Sequence, residues 1–428
     1  MYEFADFQRS YVRRVVDAEL DALFPLLPAV LIDGPKAVGK TATAERRAHV
    51  VRRLDREAER LVVATEPGVL RGDERPILID EWHREPSVFD AVRRLVDENG
   101  AGGQFLLTGS APQRQTHSGA GRITTMRMRP LSLYERFHVR RHVSLDKLLR
   151  GNRAVSGRCP LTLVDYVREI TGGGFPAMRH LDDRALDRQL DSYLDRIVDH
   201  DIPDIGGSVR QPATILAWLR AYAAATSSTT SWEKIRNAAS SGAEDRPART
   251  TTIPYTELLR SLRILDPLDP WLPTNNHLTA LTSAPKHHLA DPALAARLVR
   301  SSATQLLQGR EPTVPVPRDG TFLGALFESL AALCMRTYAQ HSDARVSHLR
   351  TKGGRHEVDF IVESAGGGVL AAEVKLTAAV SDADVRQLLW LRNEIKEDCI
   401  DLVVLHAGPE AYRRPDGVAV VPLGLLGP

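Results

Sequence analysis

The chain has 428 residues, of which 43% are hydrophobic and 26% are charged, a composition of folded globular proteins rather than disordered ones. Its length predicts about three domains, and a net charge of +2 does not by itself indicate a nucleic-acid partner. The early apolar stretch 23–32 is too short to span a bilayer, residues 1–20 lack the apolar core of a secretory signal, and the three cysteines lack metal-site spacing. We therefore expect a soluble cytoplasmic protein with reduced thiols and no membrane partner.

A phosphate-binding loop of the form G-x-x-x-x-G-K-[ST] follows the apolar run 29–32 and precedes a run with helical character, 41–57. Glycines allow backbone N–H groups to turn toward an anion. Lys40 is expected to reach the β- and γ-phosphates, and the Thr41 hydroxyl to ligate Mg²⁺. A glycine-rich turn with a chance lysine is the alternative, which the strand before and the helix after disfavour. The residues predicted to bind ATP are Gly34, Pro35, Lys36, Ala37, Val38, Gly39, Lys40 and Thr41.

A second motif, residues 76–81, is a strand-like apolar run that ends in Asp80 and Glu81. A carboxylate at the tip of a buried strand can hold the Mg²⁺ that bridges the phosphates, directly or through water, and we assign this role to Asp80. Glu81 is then close enough to orient or deprotonate the attacking water. One further strand, residues 60–64, is predicted between the two motifs. An ordinary solvated turn is the alternative for the acidic pair alone.

A third apolar run, 104–107, ends in the hydroxyls of Thr108 and Ser110. A polar residue at this strand tip lies beside the acid-bearing loops, so either hydroxyl is a candidate sensor of the γ-phosphate. Thr-Gly-Ser is also ordinary turn chemistry, and alone it indicates little.

Together with Gly121-Arg122 and residues 129–135, these motifs resemble those of a prokaryotic AAA+-type ATPase family with an uncharacterised C-terminal region. The resemblance implies a parallel sheet of strand order 5-1-4-3-2 between helices, and it assigns nucleotide, metal, water and sensor roles to the residues just described. It also implies a role for Arg122 in nucleotide binding. The family often has glutamine where this chain has His83, and a surface position is the simplest interpretation of that histidine.

AAA+-type sites are usually completed by an arginine from a neighbouring subunit, which predicts a homo-oligomer. Arg122, and after it Arg114, are the candidates, because both follow the sensor strand. Either could instead be a surface charge.

Composition predicts an ATPase domain at 1–150, a helical and winged-helix-like region at 151–308, and a third domain at 320–428, after a Pro/Gly-rich linker at 309–320. The winged helix would consist of helices 213–224, 231–239 and 253–262, followed by a hairpin formed by residues 262–267, 271–273 and 277–279. It invites a DNA-binding interpretation through Arg249, Arg260 and Arg263. Acids are mixed among these arginines, so an ATPase lid or a protein-interaction module is the alternative.

The third domain reads as a helix (323–338), three strands (344–349, 357–362 and 369–376), a helix (382–393) and a strand (401–406). This order resembles the core of the PD-(D/E)xK nuclease fold.

Acidic residues occupy the positions at which the PD-(D/E)xK nuclease fold carries its metal-binding acids. Asp359 lies in one strand, and Glu373 and Lys375 share a face of the next. We expect Asp359 and Glu373 to hold Mg²⁺ or Mn²⁺, and Lys375 to act on the charge that develops during phosphodiester cleavage. Glu328 and Gln387 match polar positions often found on the two helices. A solvated strand pair with alternating charges is the alternative.

The combination predicts an ATP-hydrolysing protein that acts on DNA or RNA through a nuclease-like domain. The alternative is a nucleotide-gated interaction or signalling switch, with a protein partner, whose nuclease-like domain no longer cleaves.

Overall fold

The computed structural model describes residues 11–72, 74–109, 120–137, 143–204, 212–239, 249–272, 284–314, 316 and 320–428. The N-terminal sheet consists of β1 (Ala29–Asp33), β2 (Val50–Arg53), β3 (Ile77–Asp80), β4 (Phe105–Gly109) and β5 (Ile123–Arg127). Its strands are parallel and lie in the order β5-β1-β4-β3-β2, which confirms the predicted order. Parallel strands bring their carboxyl ends to one edge, so the loops after β1, β3 and β4 meet there.

The helices of this region are α1 (Val15–Leu23), α2 (Lys40–Glu45), α3 (Glu57–Thr65), α4 (Val69–Gly72), α5 (Ser87–Glu98) and α6 (Leu133–Phe137). Every residue of β3 and β4 is buried, as expected for central strands of a parallel sheet. The edge strand β2 is only half-buried.

Two sequence predictions in this region are wrong. The helix expected over 41–57 ends at Glu45, because residues 50–53 form β2. The strand expected over 60–64 is part of α3. There Val63 is buried while Leu61 and Val62 are 56% and 49% exposed, a one-sided pattern that suits a helix and not a central strand.

The chain continues through β6 (Val143–Ser144), α7 (Leu145–Leu149) and β7 (Gly157–Arg158) into a helical region. Its helices are α8 (Leu163–Gly172), α9 (Asp183–Arg196), α10 (Ile202–Asp204), α11 (Pro212–Ala224), α12 (Trp232–Ala238), α13 (Arg249–Ser261), α14 (Pro292–Leu298) and α15 (Ala303–Leu307). A π-helical turn, Ile197–Asp201, joins α9 to α10. The three helices expected between 213 and 262 are therefore present as α11, α12 and α13.

After α13 the chain forms a pair of short antiparallel arms, residues 264–268 and 286–290, called the middle hairpin below. Leu265 pairs with Leu289, and Leu268 pairs with Lys286. The sequence predicts a hairpin formed by residues 262–267, 271–273 and 277–279. Its first segment does enter a hairpin, but with residues 286–290 as the partner, and the Trp271 N–H donates to the carbonyl of His348. Residues 277–279 lie outside the described part of the chain.

The C-terminal region contains α16 (Phe322–His341), β8 (Arg345–Arg350), β9 (Glu357–Glu363), β10 (Val369–Lys375), α17 (Asp382–Ile395), β11 (Cys399–His406), β12 (Glu410–Arg413), β13 (Ala419–Pro422) and β14 (Leu426–Gly427). The predicted sequence of helix, three strands, helix and strand is observed. Strand β9 pairs antiparallel with both β8 and β10, while β10 and β11 are parallel.

Helix α16 is buried on nearly all sides, and one continuous apolar core runs from the N-terminal sheet past α8 and α16 to β11. Strand β7 pairs with β12, and β6 pairs with β14. Residues 143–158 thus contact strands of the C-terminal region on both sides of residue 150, and the predicted ATPase boundary there stays a prediction. Across the described residues, no helix combines the length and apolarity needed to cross a membrane.

Candidate functional site

The phosphate-binding loop joins β1 to α2 in a conformation that needs glycine at its ends. A Cβ added to Gly34 would lie 2.1 Å from the carbonyl oxygen of Met128, which leaves no room for a side chain. Gly39 caps α2 with φ of 98°, in the left-handed region that glycine adopts without strain. The spacing of the two glycines is therefore dictated by this turn.

Lys40 is the first residue of α2, and its ammonium lies over the loop. Its Nζ donates to the carbonyl oxygens of Gly34 and Pro35, at 2.8 Å each. Burial lowers the pKa of Lys40 to about 8, although the charges of Glu81 and Asp33 oppose the change. A lysine held in this way keeps its positive charge close to the position where the loop would bind a phosphate.

Asp80, the last residue of β3, accepts hydrogen bonds from the hydroxyls of Thr41 and Thr108, two of the predicted site residues. Thr41 Oγ1 donates to Asp80 Oδ1 at 2.8 Å, and Thr108 Oγ1 donates to the same oxygen at 2.6 Å. Asp80 is 8% exposed and Thr108 1%. The hydroxyl of Thr41 and the carboxylate of Asp80 are hard oxygen donors in contact at one sheet edge, so this pair fits Mg²⁺. The other candidate sensor, Ser110, lies outside the described residues.

Glu81 follows Asp80 in a left-handed conformation, with φ of 54° and ψ of 42°, which is uncommon for a residue with a side chain. Burial, and after it the charge of Asp80, raises the pKa of Glu81. His83 is buried and not at the surface as expected, and its Nδ1 lies 3.4 Å from Glu81 Oε2. Burial lowers the pKa of His83 to about 4, so this neighbour of Glu81 is neutral at pH 7.

A buried ion pair between Arg14 and Glu135, which the sequence did not reveal, holds the phosphate-binding loop in place. Arg14 donates to the carbonyl of Val38 at 2.7 Å, to the carbonyl of Arg129 at 2.7 Å and to Glu135 Oε1 at 2.9 Å. Glu135 also accepts hydrogen bonds from the Ser132 N–H and hydroxyl. Residues Arg129 and Glu135 therefore hold Arg14 in position against the loop.

The helical region also contacts the phosphate-binding loop. Lys36 Nζ lies 2.5 Å from Asp201 Oδ1, at the end of the π-helical turn, and the Tyr193 hydroxyl donates to the carbonyl of Lys36 at 3.3 Å. The remaining loop residues Ala37 and Val38 contribute backbone geometry, with φ of 64° at Ala37 and the carbonyl of Val38 bound by Arg14.

Arg122 lies directly before β5, at the amino-terminal edge of the sheet and thus opposite the loop. It is half-exposed and donates to Asp97 at 2.8 Å. The length of β5 separates it from the phosphate-binding edge of its own chain, and its predicted role in nucleotide binding stays a prediction. Its role toward a neighbouring subunit stays a prediction, and Arg114 lies outside the described residues.

Asp33, the last residue of β1, connects the loop to the middle hairpin. Its Oδ2 lies 2.7 Å from Arg263, which ends the turn after α13, and 3.4 Å from Arg127 at the end of β5. Neither arginine contact was predicted, since Arg263 was assigned to DNA.

Asp266 lies three residues after Arg263, and it binds Arg129 at 2.9 Å and Arg336 at 2.9 Å. Burial raises the pKa of Asp266, but the charges of Arg129, Arg336 and Arg127 outweigh it and hold that pKa well below its usual range. The first arm of the middle hairpin is thus tied by ion pairs to the N-terminal sheet and to α16.

Two of the three arginines assigned to DNA contact are engaged within the molecule. Arg263 binds Asp33, and the guanidinium of Arg260 lies 6.0 Å from the ring centroid of Trp232. The side chain of Arg249 lies outside the description. DNA contact through this region stays a prediction.

In the C-terminal region, β9 and β10 bring the predicted acids to one cleft. Asp359 Oδ2 accepts the Val374 N–H at 2.9 Å, and Lys375 Nζ donates to Glu373 Oε2 at 2.8 Å. Burial, and after it the charge of Asp359, raises the pKa of Glu373 well above its ordinary value. The pKa of Asp359 is lowered, because the charges of Lys286 and Lys375 outweigh its burial.

The cleft also contains a lysine that the sequence analysis missed. Lys286, on the second arm of the middle hairpin, is 1% exposed, and its Nζ lies 2.9 Å from Glu328, 3.1 Å from Glu357 and 2.9 Å from Asp359. Burial lowers the pKa of Lys286, but these three carboxylates outweigh it and hold the pKa well above its ordinary value. Burial raises the pKa of Glu328 to about 8.

A cavity of about 790 Å³ opens beside these residues, and Gln387 is part of its wall. Gln387 Oε1 accepts a hydrogen bond from His356 Nδ1 at 2.9 Å, and that histidine stacks on Trp390. Five basic side chains line the cavity, together with four carboxylates: Lys234, Lys286, Arg350, Arg355 and Lys375, and Glu328, Glu357, Asp359 and Glu373.

The cleft does not fit a divalent cation in this conformation. Lys286 holds an oxygen of Asp359, and Lys375 holds one of Glu373. Within the described ranges, no group of three or more His, Cys, Asp or Glu side chains is arranged to bind a metal. Metal binding through Asp359 and Glu373 stays a prediction that requires Lys286 to move.

Comparison with known proteins gives three partial family matches. Residues 27–137 match an AAA domain, residues 164–305 match a domain of unknown function (DUF8612), and residues 323–426 match another (DUF4143). The AAA match and the loop geometry together support an ATPase function for the N-terminal region.

Two curated relatives are the uncharacterized proteins Mb2031c of Mycobacterium bovis and Rv2008c of Mycobacterium tuberculosis. Each is 26% identical to this chain, over 96% of the chain and 83% of the relative. Among solved structures, the Walker-type ATPase PABY2304 of Pyrococcus abyssi aligns with a TM-score of 0.40 and 14% identity, over 68% of this chain and 98% of that one.

Proposed function

We propose that this protein binds ATP with Mg²⁺ and hydrolyses it, and that its nucleotide state controls the C-terminal cleft. The observation that carries the first part is the convergence on one sheet edge of Lys40, Asp80 and Glu81, with both hydroxyls of Thr41 and Thr108 on a single Asp80 oxygen. A cation, a metal-binding acid and a second acid are the parts that phosphoryl transfer to water requires.

The roles follow from chemistry and position. Lys40 binds the β- and γ-phosphates, and Thr41 and Asp80 hold Mg²⁺, which supplies positive charge against the phosphate oxygens when it is bound. Glu81 orients the attacking water and accepts its proton, and its raised pKa makes it a stronger base than an ordinary glutamate. Thr108 keeps the Asp80 carboxylate in place and is the proposed γ-phosphate sensor.

ATP turnover of three variants tests these roles. Lys40→Ala is expected to abolish ATP binding, whereas Glu81→Gln is expected to bind ATP and not hydrolyse it. Glu85→Gln is the matched control, because Glu85 lies in the same turn and bonds only to nearby Ser87 in the described contacts. Wild-type turnover by Glu81→Gln would remove the role given to Glu81.

The second part of the proposal rests on two ion pairs, one between Asp33, directly before the loop, and Arg263, directly before the middle hairpin, and one between Arg129 and Asp266 of the hairpin. Asp33 precedes the loop and binds Arg263, and Asp266, three residues later, lies on the arm that pairs with Lys286. A nucleotide that shifts the loop would change the surroundings of Asp33 first. The hairpin segment is linked to the phosphate-binding site through Arg263 and to the C-terminal cleft through Lys286, so it is the element that could couple the two sites.

Limited proteolysis tests this coupling. In Glu81→Gln, ATP is expected to change the cleavage pattern of the C-terminal region, and Arg263→Met is expected to remove that change while ATP still binds. An ATP effect that survives in Arg263→Met would show that the signal takes another route.

Phosphodiester cleavage in the C-terminal cleft is a second candidate function. It is favoured by the proximity of Asp359, Glu373 and Lys375, and by five basic side chains against four carboxylates in the cavity wall, a small excess of positive charge toward a polyanion such as DNA or RNA. Plasmid nicking by the wild type and not by Asp359→Ala is the expected result, and Asp382→Ala, at a 96% exposed side chain, is the control. Equal nicking by wild type and Asp359→Ala would assign the activity elsewhere.

A further inference from the structure

The helical region holds one residue of the phosphate-binding loop by both its side chain and its backbone. Lys36 Nζ donates to Asp201 Oδ1 at 2.5 Å, and the Lys36 carbonyl accepts a hydrogen bond from the Tyr193 hydroxyl at 3.3 Å. Tyr193 lies on α9, and Asp201 lies on the π-helical turn that follows it. Lys36 is therefore positioned by a segment that lies more than 150 residues away in the chain, outside the N-terminal sheet.

The ammonium of Lys36 lies close to the acid that we assign to the attacking water. Burial raises the pKa of Glu81, and the charges of Lys40 and Lys36 oppose that rise. Burial also lowers the pKa of His83, and the charge of Lys36 lowers it further. Because the interaction between charges weakens with distance, Lys36 stands beside the turn that carries Glu81 and His83.

Stability alone is a weak explanation for the ion pair of Lys36 and Asp201. Asp201 is 6% exposed, whereas the side chain of Lys36 is 38% exposed. Taking a carboxylate out of water costs several kcal/mol, and a lysine that keeps its contact with solvent returns about 1 kcal/mol or less. Asp201 has no second ion-pair partner among the described contacts. The pair is better explained as a means of fixing a cation, at a π-helical turn of the kind that is frequent at functional sites.

Lys36 also retains donors for a ligand. An ammonium has three N–H groups, and in the described contacts Lys36 uses one of them, on Asp201. The other two can bind phosphate oxygens while the ion pair stays intact. The arrangement therefore requires no movement of the helical region.

A fixed cation at this position has a use in the proposed hydrolysis. The water oxygen forms a bond to the γ-phosphorus while the bond to the β,γ-bridging oxygen breaks, ADP leaves with that electron pair, and Glu81 accepts the water proton. Negative charge is spread over the γ-phosphate oxygens in the transition state, and a cation that is already in place stabilises this charge without reorganisation.

We propose that Lys36 is a catalytic residue that contacts the γ-phosphate from within its own chain, and that Asp201 is the positioning residue that holds it there. The inference rests on the proposed ATP hydrolysis, and it gives the helical region a part in that reaction. An arginine from a neighbouring subunit would act only in an assembled oligomer, whereas Lys36 acts at every protein concentration.

ATP turnover and ADP binding of the full-length protein test this proposal. Lys36→Met is expected to lower kcat by about tenfold to a hundredfold, less than the loss of a fully enclosed oxyanion donor because Lys36 is partly solvated, and to leave ADP affinity near that of the wild type. Lys36→Arg keeps a cation and is expected to recover part of the lost activity. Asp201→Asn is expected to lower kcat by a smaller factor, and Asp199→Asn, at an exposed position of the same turn, is the matched control.

The double variant distinguishes positioning from a structural role. If Asp201 acts through Lys36, then Lys36→Met/Asp201→Asn is expected to be no slower than Lys36→Met. Losses that add would overturn the positioning role, and so would an Asp201→Asn variant with the kcat of the wild type. Thermal unfolding shows whether each variant is folded, and Lys36→Gln takes the place of Lys36→Met if the latter is not.

Nucleotide preference separates this inference from the proposed function. In Glu81→Gln, which is expected to bind ATP without hydrolysing it, adding Lys36→Met is expected to reduce the preference for ATP over ADP, because only ATP carries the γ-phosphate. An unchanged preference overturns the role of Lys36, whether or not the wild type hydrolyses ATP. Turnover that is lost in Glu81→Gln but unchanged in Lys36→Met retains the proposed function and overturns this inference alone.

Discussion

Substitution of Glu135 by glutamine tests whether the buried ion pair with Arg14 supports the phosphate-binding loop. Glu135 is 1% exposed, and its two oxygens accept four hydrogen bonds, from Arg14 Nε, the Val15 N–H, and the N–H and hydroxyl of Ser132. A glutamine amide presents an NH₂ group to two of these donors, and Arg14 loses its counter-charge.

The size of the effect follows from these contacts. Two lost hydrogen bonds to a charged group cost about 1.5–3 kcal/mol each, which agrees with about 3–5 kcal/mol for breaking a buried ion pair. We expect Glu135→Gln to lower the Tm by on the order of 10 °C. ATP binding is expected to weaken as well, because Arg14 also holds the carbonyl of Val38 within the loop.

Thermal unfolding followed by circular dichroism, with and without ATP, measures both effects. Glu98→Gln is the control, because the pair of Glu98 with Arg71 is largely exposed and is expected to be worth less than about 1 kcal/mol. Arg14→Met should recover part of the stability lost in Glu135→Gln, since it removes the uncompensated charge. A Tm of Glu135→Gln equal to that of the control variant would refute the role of the ion pair.

Three further predictions concern the N-terminal region. Thr108→Val should reduce ATP turnover by about tenfold, because a lost hydrogen bond to the Asp80 carboxylate is worth about 1.5 kcal/mol, whereas Thr108→Ser should stay near wild type in phosphate-release assays. Burial lowers the pKa of Lys40 to about 8, so its ammonium is lost as pH rises through that value. Calorimetry should therefore show weaker ATP binding, coupled to proton uptake, above about pH 8. Below about pH 7 the ATP affinity should not vary with pH, and binding should take up no proton. Arg122→Ala should retain ATP affinity but lose a concentration-dependent rise in specific activity, and a wild type whose specific activity does not vary with concentration would contradict a trans role for Arg122.

The parts of the site that the sequence predicted are those next to strand ends. The loop, Asp80 and Thr108 each follow an apolar run directly, so locating the strand also located the side chain, and parallel order brought the three tips together. The error at residues 60–64 has the same origin, since a short apolar run of Leu and Val does not reveal whether one face or both will be buried.

The residues that the sequence did not reveal come from distant segments. Arg14 contacts Glu135 across 121 positions, and Lys286 contacts Asp359 across 73. Neither lies in a periodic pattern or a motif, and a basic residue in a short basic run usually indicates a solvated surface. Their roles depend on tertiary packing, and only the acids they neutralise could have been noticed as charges within buried elements.

Hydrogen exchange at the middle hairpin most directly tests the central claim that nucleotide at the loop controls the C-terminal cleft. The informative amides are those of Leu268 and Lys286, which bond to each other's carbonyls. In Glu81→Gln, ATP is predicted to speed the exchange of both amides relative to the nucleotide-free protein, and in Lys40→Ala ATP is predicted to have no effect. Exchange at both amides that is unchanged or slower when ATP is bound to Glu81→Gln would contradict the account.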